Sequence, residues 1–278
     1  MENYDYDKRN VTGLDAHGKY AVLVDYLKEL GSCAIAFSGG VDSAFLLYAA
    51  KEALGDNVLA ITAVSPIFPS SDEDETREFC SRYDIQQEFF SSGDLEKPHF
   101  QTNPKDRCYH CKKDLFTGIQ ALAAAHGIHA VAEGSNMDDR NDYRPGRIAI
   151  DELGILSPLL ETGFYKSEIR ELSNEFGLPT WDKPSFACLA SRFVYGEAIT
   201  NDKLRMVEQA EKCLHDLGFR QCRVRIHGMM ARIELLPEDM ERFFEKRTRD
   251  SVNRLLKVLG FKHVSVDLQG YRTGSMNE

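Results

Sequence analysis

Apolar and polar positions along the chain switch repeatedly between a helical and a strand-like period. Residues 21–30 repeat apolar positions at helical spacing. Cys33, Ala34, Ile35, Ala36 and Phe37 then form a short apolar run of strand length. Residues 44–53 read as a helix that ends at Gly55. Residues 58–64 give a second strand, 72–83 a second crossover helix, 87–90 a third strand, 112–126 a helix and 129–132 a fourth strand. Strands alternating with helices predict an α/β fold, a doubly wound and mostly parallel sheet.

The pattern changes after Gly177. Residues 178–196 have little periodicity and contain Pro179 and Pro184, so they read as a linker that also lines a site. An amphipathic helix over 201–217 follows, then strand-like runs at 222–226 and 231–235, a helical stretch over 238–259 and a strand at 264–268. This predicts a smaller α+β domain. The expected organisation is a lead-in over 1–18, an α/β domain over 19–180, a linker and active-site loop over 181–200, and a C-terminal domain over 201–278.

Composition narrows the class. Apolar residues make up 42% of the 278 residues, enough for a packed core. The first ten residues have no apolar run of the signal-peptide kind, and no segment approaches the roughly 18 apolar residues of a membrane span. A cytoplasmic protein without a membrane partner is the expectation. A formal charge of −10 argues against a nucleic-acid partner, because binding a phosphate backbone needs a basic face. Seven cysteines in a chain with no export signal favour metal binding or thiol chemistry over disulfides.

Ser38, Gly39, Gly40, Val41, Asp42 and Ser43 lie between a strand and a helix. Amides at a helix start, with the helix dipole behind them, bind anions. The glycines let backbone approach phosphate oxygens, the two serines add hydroxyls, and Asp42 is a candidate ligand for Mg²⁺. No Gly-Lys-Ser/Thr follows, so the loop is not of the Walker type. The bland alternative is an ordinary glycine turn.

Cys108 and Cys111 form a C-x-x-C pair in a polar stretch ahead of a helix. That spacing suits a shared metal or cluster, a redox pair, or two incidental thiols. Cys188 lies in the non-periodic segment, four residues before Arg192, whose charge would favour a thiolate. Cys33, Cys80, Cys213 and Cys222 read as buried thiols. Glu211 falls on the apolar stripe of Leu204, Val207, Leu214 and Leu217, so it is either paired, aimed into a site, or rimming the stripe. Arg223 and Arg225 point to one face of a strand, and with Arg272 they could hold a phosphate or lie solvated on the surface.

The Ser38–Ser43 stretch resembles the pyrophosphate loop of the PP-loop ATP-pyrophosphatases. Residues 36–43, 141–146 (Asn-Asp-Tyr-Arg-Pro-Gly), 190–196 (Ala-Ser-Arg-Phe-Val-Tyr-Gly), 210–212, 223–225, 270–272 and the pair Met276 and Asn277 together resemble the LarE family of ATP-dependent sulfur transferases, in order along nearly the whole chain. The resemblance implies adenylation of a carboxylate of pyridinium-3,5-biscarboxylic acid mononucleotide, with release of AMP and pyrophosphate. Conversion to a thiocarboxylate follows, within nickel-pincer nucleotide biosynthesis. Ser38, Gly39, Gly40, Asp42, Ser43 and Lys112 would serve ATP and pyrophosphate, Arg192 and Glu211 would adjoin the sulfur site, and Arg223, Arg225 and Arg272 would hold the substrate phosphate. Simple family members sacrifice the sulfur of one cysteine. Cys108, Cys111 and Cys188 instead look like the three-cysteine form, which implies a four-iron–four-sulfur cluster. Family members also form homo-oligomers.

Three rivals share parts of this pattern. A tRNA thiolase has the same loop, though the acidic balance opposes it. A glutamine-dependent synthetase would need an amidotransferase partner and would leave the cysteines idle. A zinc-binding module would add His99 or His110 to the cysteines.

Overall fold

The computed structural model of the chain describes residues 11–68, 71–141, 145–184 and 188–272. Asp142, Tyr143 and Arg144 of one motif, Ser185, Phe186 and Ala187 of the linker, and Met276 and Asn277 lie outside the described residues. The chain divides into two compact units. The first comprises Met1–Ser65, Ser70–Ser92 and Cys108–Ser185, and the second Pro66–Pro69, Gly93–Arg107 and Phe186–Glu278.

In chain order the elements are α1 (Ala16–Leu30), β1 (Cys33–Ala36), α2 (Val41–Leu54), β2 (Val58–Val64), α3 (Ser71–Arg82), β3 (Gln86–Ser91), α4 (Pro98–Gln101), α5 (Arg107–Ala125) and β4 (Val131–Ala132). Then follow α6 (Pro145–Glu152), α7 (Pro158–Glu161), α8 (Lys166–Glu175), α9 (Asn201–Asp216), β5 (Cys222–His227), β6 (Met230–Leu235), α10 (Met240–Phe244), α11 (Lys246–Val258) and β7 (His263–Val266).

The first unit is built on a parallel sheet in the order β3-β2-β1-β4, flanked by helices, as the alternation predicts. Strand β1 and the first five residues of β2 are largely buried on both faces, which is why they read as apolar runs, broken only by Thr62. Cys33, Ile35, Val58 and Ala60 face a core shared with α1, α2 and α8; Ala34, Leu59 and Ile61 face a second core with α5 and α6. Helix α2 is apolar nearly all round because it lies inside the first core, with Phe45 packed against Tyr20, Phe164 and Phe176. The strand order turns back at β1, since β2 and β3 lie on one side of it and β4 on the other. In open α/β sheets ligands bind past the carboxyl ends of the strands at such a switch point.

The second unit carries a three-stranded sheet in the order β5-β6-β7, with β5 and β6 antiparallel and β6 and β7 parallel. One face buries Val224, Ile226, Ala231 and Ile233, and the stripe of α9 is buried as well. The other face carries Arg223 and Arg225 on β5, opposite Glu234 and Arg232 on β6. Gly270 has φ +72°, and a Cβ there would lie 2.6 Å from the carbonyl oxygen of Leu235, so only glycine allows the Gly-Tyr-Arg tail to lie against the end of β6.

Some expectations change. The C-x-x-C pair is not ahead of a helix: Cys108 and Cys111 lie in the first turns of α5, which begins at Arg107. The predicted helix over 238–259 is broken at Glu245, whose backbone is extended (φ −53°, ψ 133°), so α10 and α11 are separate. Helix α2 starts at Val41, three residues earlier than the sequence pattern predicts, and takes Asp42 and Ser43 into its first turn. Helices α6, α7 and α8 fall in a stretch for which the pattern predicts no element. Among the described residues, no helix is long and apolar enough to cross a membrane.

Candidate functional site

The loop between β1 and α2 is ordered by its own serines. The Ser38 and Ser43 hydroxyl oxygens stand 3.1 Å apart, and Ser43 Oγ donates to the Gly40 carbonyl at 3.1 Å. Gly39 has φ +71°, a conformation that favours glycine. Gly40 caps α2 without a side chain, which leaves the first amides of the helix open to an anion.

Asp42 lies beside this loop with two partners absent from the sequence expectations. Lys166 Nζ, at the start of α8, donates to Asp42 Oδ2 at 2.9 Å, and Asn136 Nδ2 donates to Oδ1 at 3.2 Å. Asn136 is itself fixed by Asp139, whose carboxylate accepts its backbone N–H at 3.0 Å, and Asp138 accepts the N–H of Lys166 at 2.7 Å. Burial pushes the Asp42 carboxyl above its ordinary value; Lys166 pulls it back and the Asp139 charge adds to the rise.

The segment after β4 that carries Asn136 is pinned by Glu133. This buried carboxylate accepts from Ser135 N at 3.1 Å, Ser135 Oγ at 2.9 Å and Ser157 Oγ at 2.7 Å. Gly134 meets the Ser38–Ser43 loop directly, since a Cβ there would lie 3.0 Å from Ser43 N. Glu133, Gly134 and Asn136 closely follow a strand that borders the switch point. That position is the signal by which they could have been found.

Lys112 lies on α5 against α6: a Cβ on Gly146 would come within 2.8 Å of its Cδ and 3.3 Å of the Cys108 carbonyl oxygen. On the same helix, Tyr109 and Lys113 form a triangle of hydrogen bonds with Glu152, with Tyr109 Oη donating to Glu152 at 2.7 Å and Lys113 Nζ donating to both. The exposed Cys108 and part-exposed Cys111 belong to the first unit and the part-exposed Cys188 to the second. Cys33, Cys80 and Cys222 are buried, and burial pushes each thiol up to about 12. Among the described residues, no three His, Cys, Asp or Glu side chains stand together as a metal cage.

In the second unit the structure joins Arg192 to Glu211. Arg192, in a 3-10 turn over Leu189–Arg192, is 0% exposed and Glu211 5%. Nε and Nη2 of Arg192 each donate to one carboxylate oxygen of Glu211 at 2.8 Å. Val224 N on the edge strand β5 adds a third bond to Glu211 at 2.9 Å. Burial opposes both charges, but the mutual attraction wins: the Glu211 carboxyl falls below its ordinary value and the Arg192 guanidinium rises above its own. Glu211 therefore does not rim the stripe towards water. Arg192 reaches the Cys188 carbonyl oxygen at 3.3 Å and Ser191 Oγ at 3.0 Å.

Arg223 and Arg225 are buried rather than solvated. Arg225 donates to Glu234 at 2.8 Å and to the Ser191 carbonyl oxygen at 3.0 Å; Glu234 also accepts from Arg232 at 3.0 Å. The Arg223 guanidinium lies 5.3 Å from the ring centre of Tyr271, the residue before Arg272. Burial and the nearby Arg192 charge both lower the Arg223 pKa, with Glu211 working the other way. A cationic face supported by buried carboxylates can take an anion such as a phosphate monoester.

No family model matches the chain. The chain is 39% identical to the pyridinium-3,5-bisthiocarboxylic acid mononucleotide synthase of Lactiplantibacillus plantarum, over 94% of each chain. It is 41% identical to an uncharacterised protein of Synechocystis, over 92% of this chain and 95% of that one. It is 24% identical to one component of the glutamine-hydrolysing GMP synthase of Thermoplasma volcanium, over 64% of this chain and 61% of that one.

Proposed function

Because the chain belongs to the LarE family of ATP-dependent sulfur transferases, we propose that it converts the carboxylates of pyridinium-3,5-biscarboxylic acid mononucleotide into thiocarboxylates at the expense of ATP. The observation that carries this reading is the 39% identity to a synthase of the bisthiocarboxylic mononucleotide, spread over 94% of the chain and so over both units.

The chemistry divides into two displacements. A substrate carboxylate oxygen attacks the α-phosphorus of ATP, and pyrophosphate leaves. A sulfur nucleophile then attacks the acyl carbon, and AMP leaves with that oxygen. Ser38, Gly39, Gly40 and Ser43 offer amides and hydroxyls to the departing pyrophosphate. Asp42 offers a carboxylate to Mg²⁺, and Lys166 and Asn136 hold that carboxylate at the loop. Lys112 is assigned to the same phosphates. Arg223, Arg225 and Arg272 bind the phosphate of the mononucleotide, and the buried Arg192–Glu211 pair braces the turn after Cys188.

Cys108, Cys111 and Cys188 are assigned as ligands of a four-iron–four-sulfur cluster. Their donor chemistry fits, since such a cluster takes thiolates and none of the three thiols is buried, unlike Cys33, Cys80 and Cys222; Cys213 on α9 is part-exposed as well. When bound, such a cluster leaves one iron open to carry a sulfide. A cytoplasmic location and a homo-oligomeric state belong to the same reading, and light scattering of the purified chain tests the second.

The test is direct. With Mg²⁺, ATP, added sulfide and the biscarboxylic mononucleotide, the protein forms AMP, pyrophosphate and a product in which sulfur replaces oxygen by mass. Formation of ADP, or release of thiolated tRNA in place of the thiolated mononucleotide, overturns the proposal.

A further inference from the structure

Arg107 and Asn103 stand just before Cys108 in the chain, yet their hydrogen bonds run to the segment that carries Cys188. Arg107 is 5% exposed, and its Nη1 donates to the Ala190 carbonyl oxygen at 2.9 Å and to Asn103 Oδ1 at 2.5 Å. Asn103 is 0% exposed and has φ +49°, a backbone conformation costly for most residues but tolerated by asparagine. Its Nδ2 donates to the Val194 carbonyl oxygen at 2.7 Å, and its own carbonyl accepts from Gly196 N at 2.9 Å. Gln101 extends the same seam, its carbonyl accepting from Ile199 N at 3.0 Å. Residues 101–107 thus satisfy the backbone of 190–199 at Ala190, Val194, Gly196 and Ile199, with a buried guanidinium and a buried amide that the phosphate chemistry does not use.

We propose that Asn103 and Arg107 are positioning residues for the Cys188–Arg192 turn: within the second unit they hold the backbone that follows Cys188 in place for sulfur transfer. This rests on the reading that Cys188 takes part in sulfur transfer. The arrangement supports it, since Ala190 is two residues after Cys188. A buried guanidinium spanning an amide side chain and a main-chain carbonyl tolerates little displacement. The left-handed conformation at Asn103 turns the chain so that one residue offers both a side-chain donor and a main-chain acceptor to 194–196.

The experiment uses the full-length chain, purified anaerobically, as wild type, Arg107→Ala, Arg107→Lys and Asn103→Asp. Asn103→Asp keeps an acceptor for Arg107 and a residue that tolerates the left-handed region; it replaces the donor to Val194 with a carboxylate oxygen that repels that carbonyl. It therefore stands in if Arg107→Ala does not fold. Adenylation is read as ATP–pyrophosphate exchange, sulfur transfer as thiolated product per adenylate, and the centre as iron, acid-labile sulfide and visible absorption. In Arg107→Ala and Asn103→Asp, exchange should stay at the wild-type rate. Sulfur transfer per adenylate should fall by about 10²-fold, the scale expected for a misplacement of about 1 Å. Cluster content should fall with it, and Arg107→Lys should recover part of both. A purely structural role would lower exchange and transfer together, and transfer per adenylate unchanged in both variants overturns the proposal. An iron-free wild type sinks the cluster reading instead. The same variants are then scored on loss of hydrogen sulfide from Cys188 by intact mass, and an undiminished loss per adenylate overturns the positioning role on its own.

Discussion

Each unit contains a partly or fully buried carboxylate bonded to a cation at nearly the same distance, 2.9 Å for Asp42–Lys166 and 2.8 Å for Glu211–Arg192. The pKa directions are opposite: Asp42 is raised and Glu211 lowered. The difference is in coordination. Glu211 receives both prongs of a guanidinium and a main-chain N–H, so its charge is fully matched. Asp42 receives one ammonium and one neutral amide, with the Asp139 charge adding to the penalty of burial. Pairing alone therefore does not identify a structural ion pair. Glu211–Arg192 is fully paired, while Asp42–Lys166 leaves a carboxylate with fewer donors at the Ser38–Ser43 loop.

The sharpest way to break this comparison is to remove one partner of the Glu211–Arg192 pair. Glu211→Ala leaves the Arg192 charge buried and uncompensated and should cost about 3–5 kcal/mol of stability, read by denaturant unfolding. Acid should imitate the change. Because the folded pKa of Glu211 lies below its ordinary 4.5, the stability it contributes is present above that value. It is lost as pH falls through the folded pKa. Glu211→Gln should remove this acid-side dependence.

Asp42 should respond in the reverse sense. Its folded pKa is raised above 3.8, so its contribution is present below that value and lost as pH rises through the folded pKa. Asp42→Asn should therefore melt no lower than wild type at neutral pH without nucleotide. It should also slow AMP formation by about 10²–10³-fold, as removal of a transition-state contact does. A variant that loses both stability and activity would make Asp42 a structural residue like Glu211.

The arginine face gives smaller effects. Arg223→Ala should raise the Kd of the mononucleotide about tenfold or more, for a charge-assisted contact of about 1.5–3 kcal/mol, with ATP affinity unchanged. Tyr271→Leu should weaken the same ligand least, by about 0.5–2 kcal/mol, through loss of the cation–π support under Arg223. Both constants are accessible by calorimetry.

The sequence made the parallel sheet legible because strands such as 58–64 are largely buried on both faces and separated by helices of ordinary length. The loop at Ser38–Ser43 and the stripe under Glu211 were legible for the same local reason: each is set by spacing within one or two elements. Helix α8 left a weaker trace, since only Ile169, Leu172 and Ser173 mark its buried side. The partners of the site residues left almost none. Lys166 is 124 residues from Asp42, Asn136 is 94, and Arg107 is 83 from Ala190. Such pairs are chosen by the fold, and no periodicity reports them. Arg225 and Glu234 are intermediate, since charged residues at alternate positions of two adjacent strands hint at a shared face.

The assignment of Gly93–Arg107 to the second unit has a consequence for the order in which the chain is made. During synthesis this stretch emerges long before residues 188–199, the segment whose backbone it satisfies. Until they appear, Phe100, Asn103 and Arg107, all buried in the finished protein, lack the segment that Asn103 and Arg107 bond to. The first unit's parallel sheet, meanwhile, can close around the unfinished Gly93–Arg107 stretch. Non-local closures of this kind slow folding and expose apolar surface on the way. A fragment that stops before residue 188, or one that starts there, inherits half of that seam, so holding a nascent chain until its end is free should matter more for this protein than for one whose two units follow each other in line.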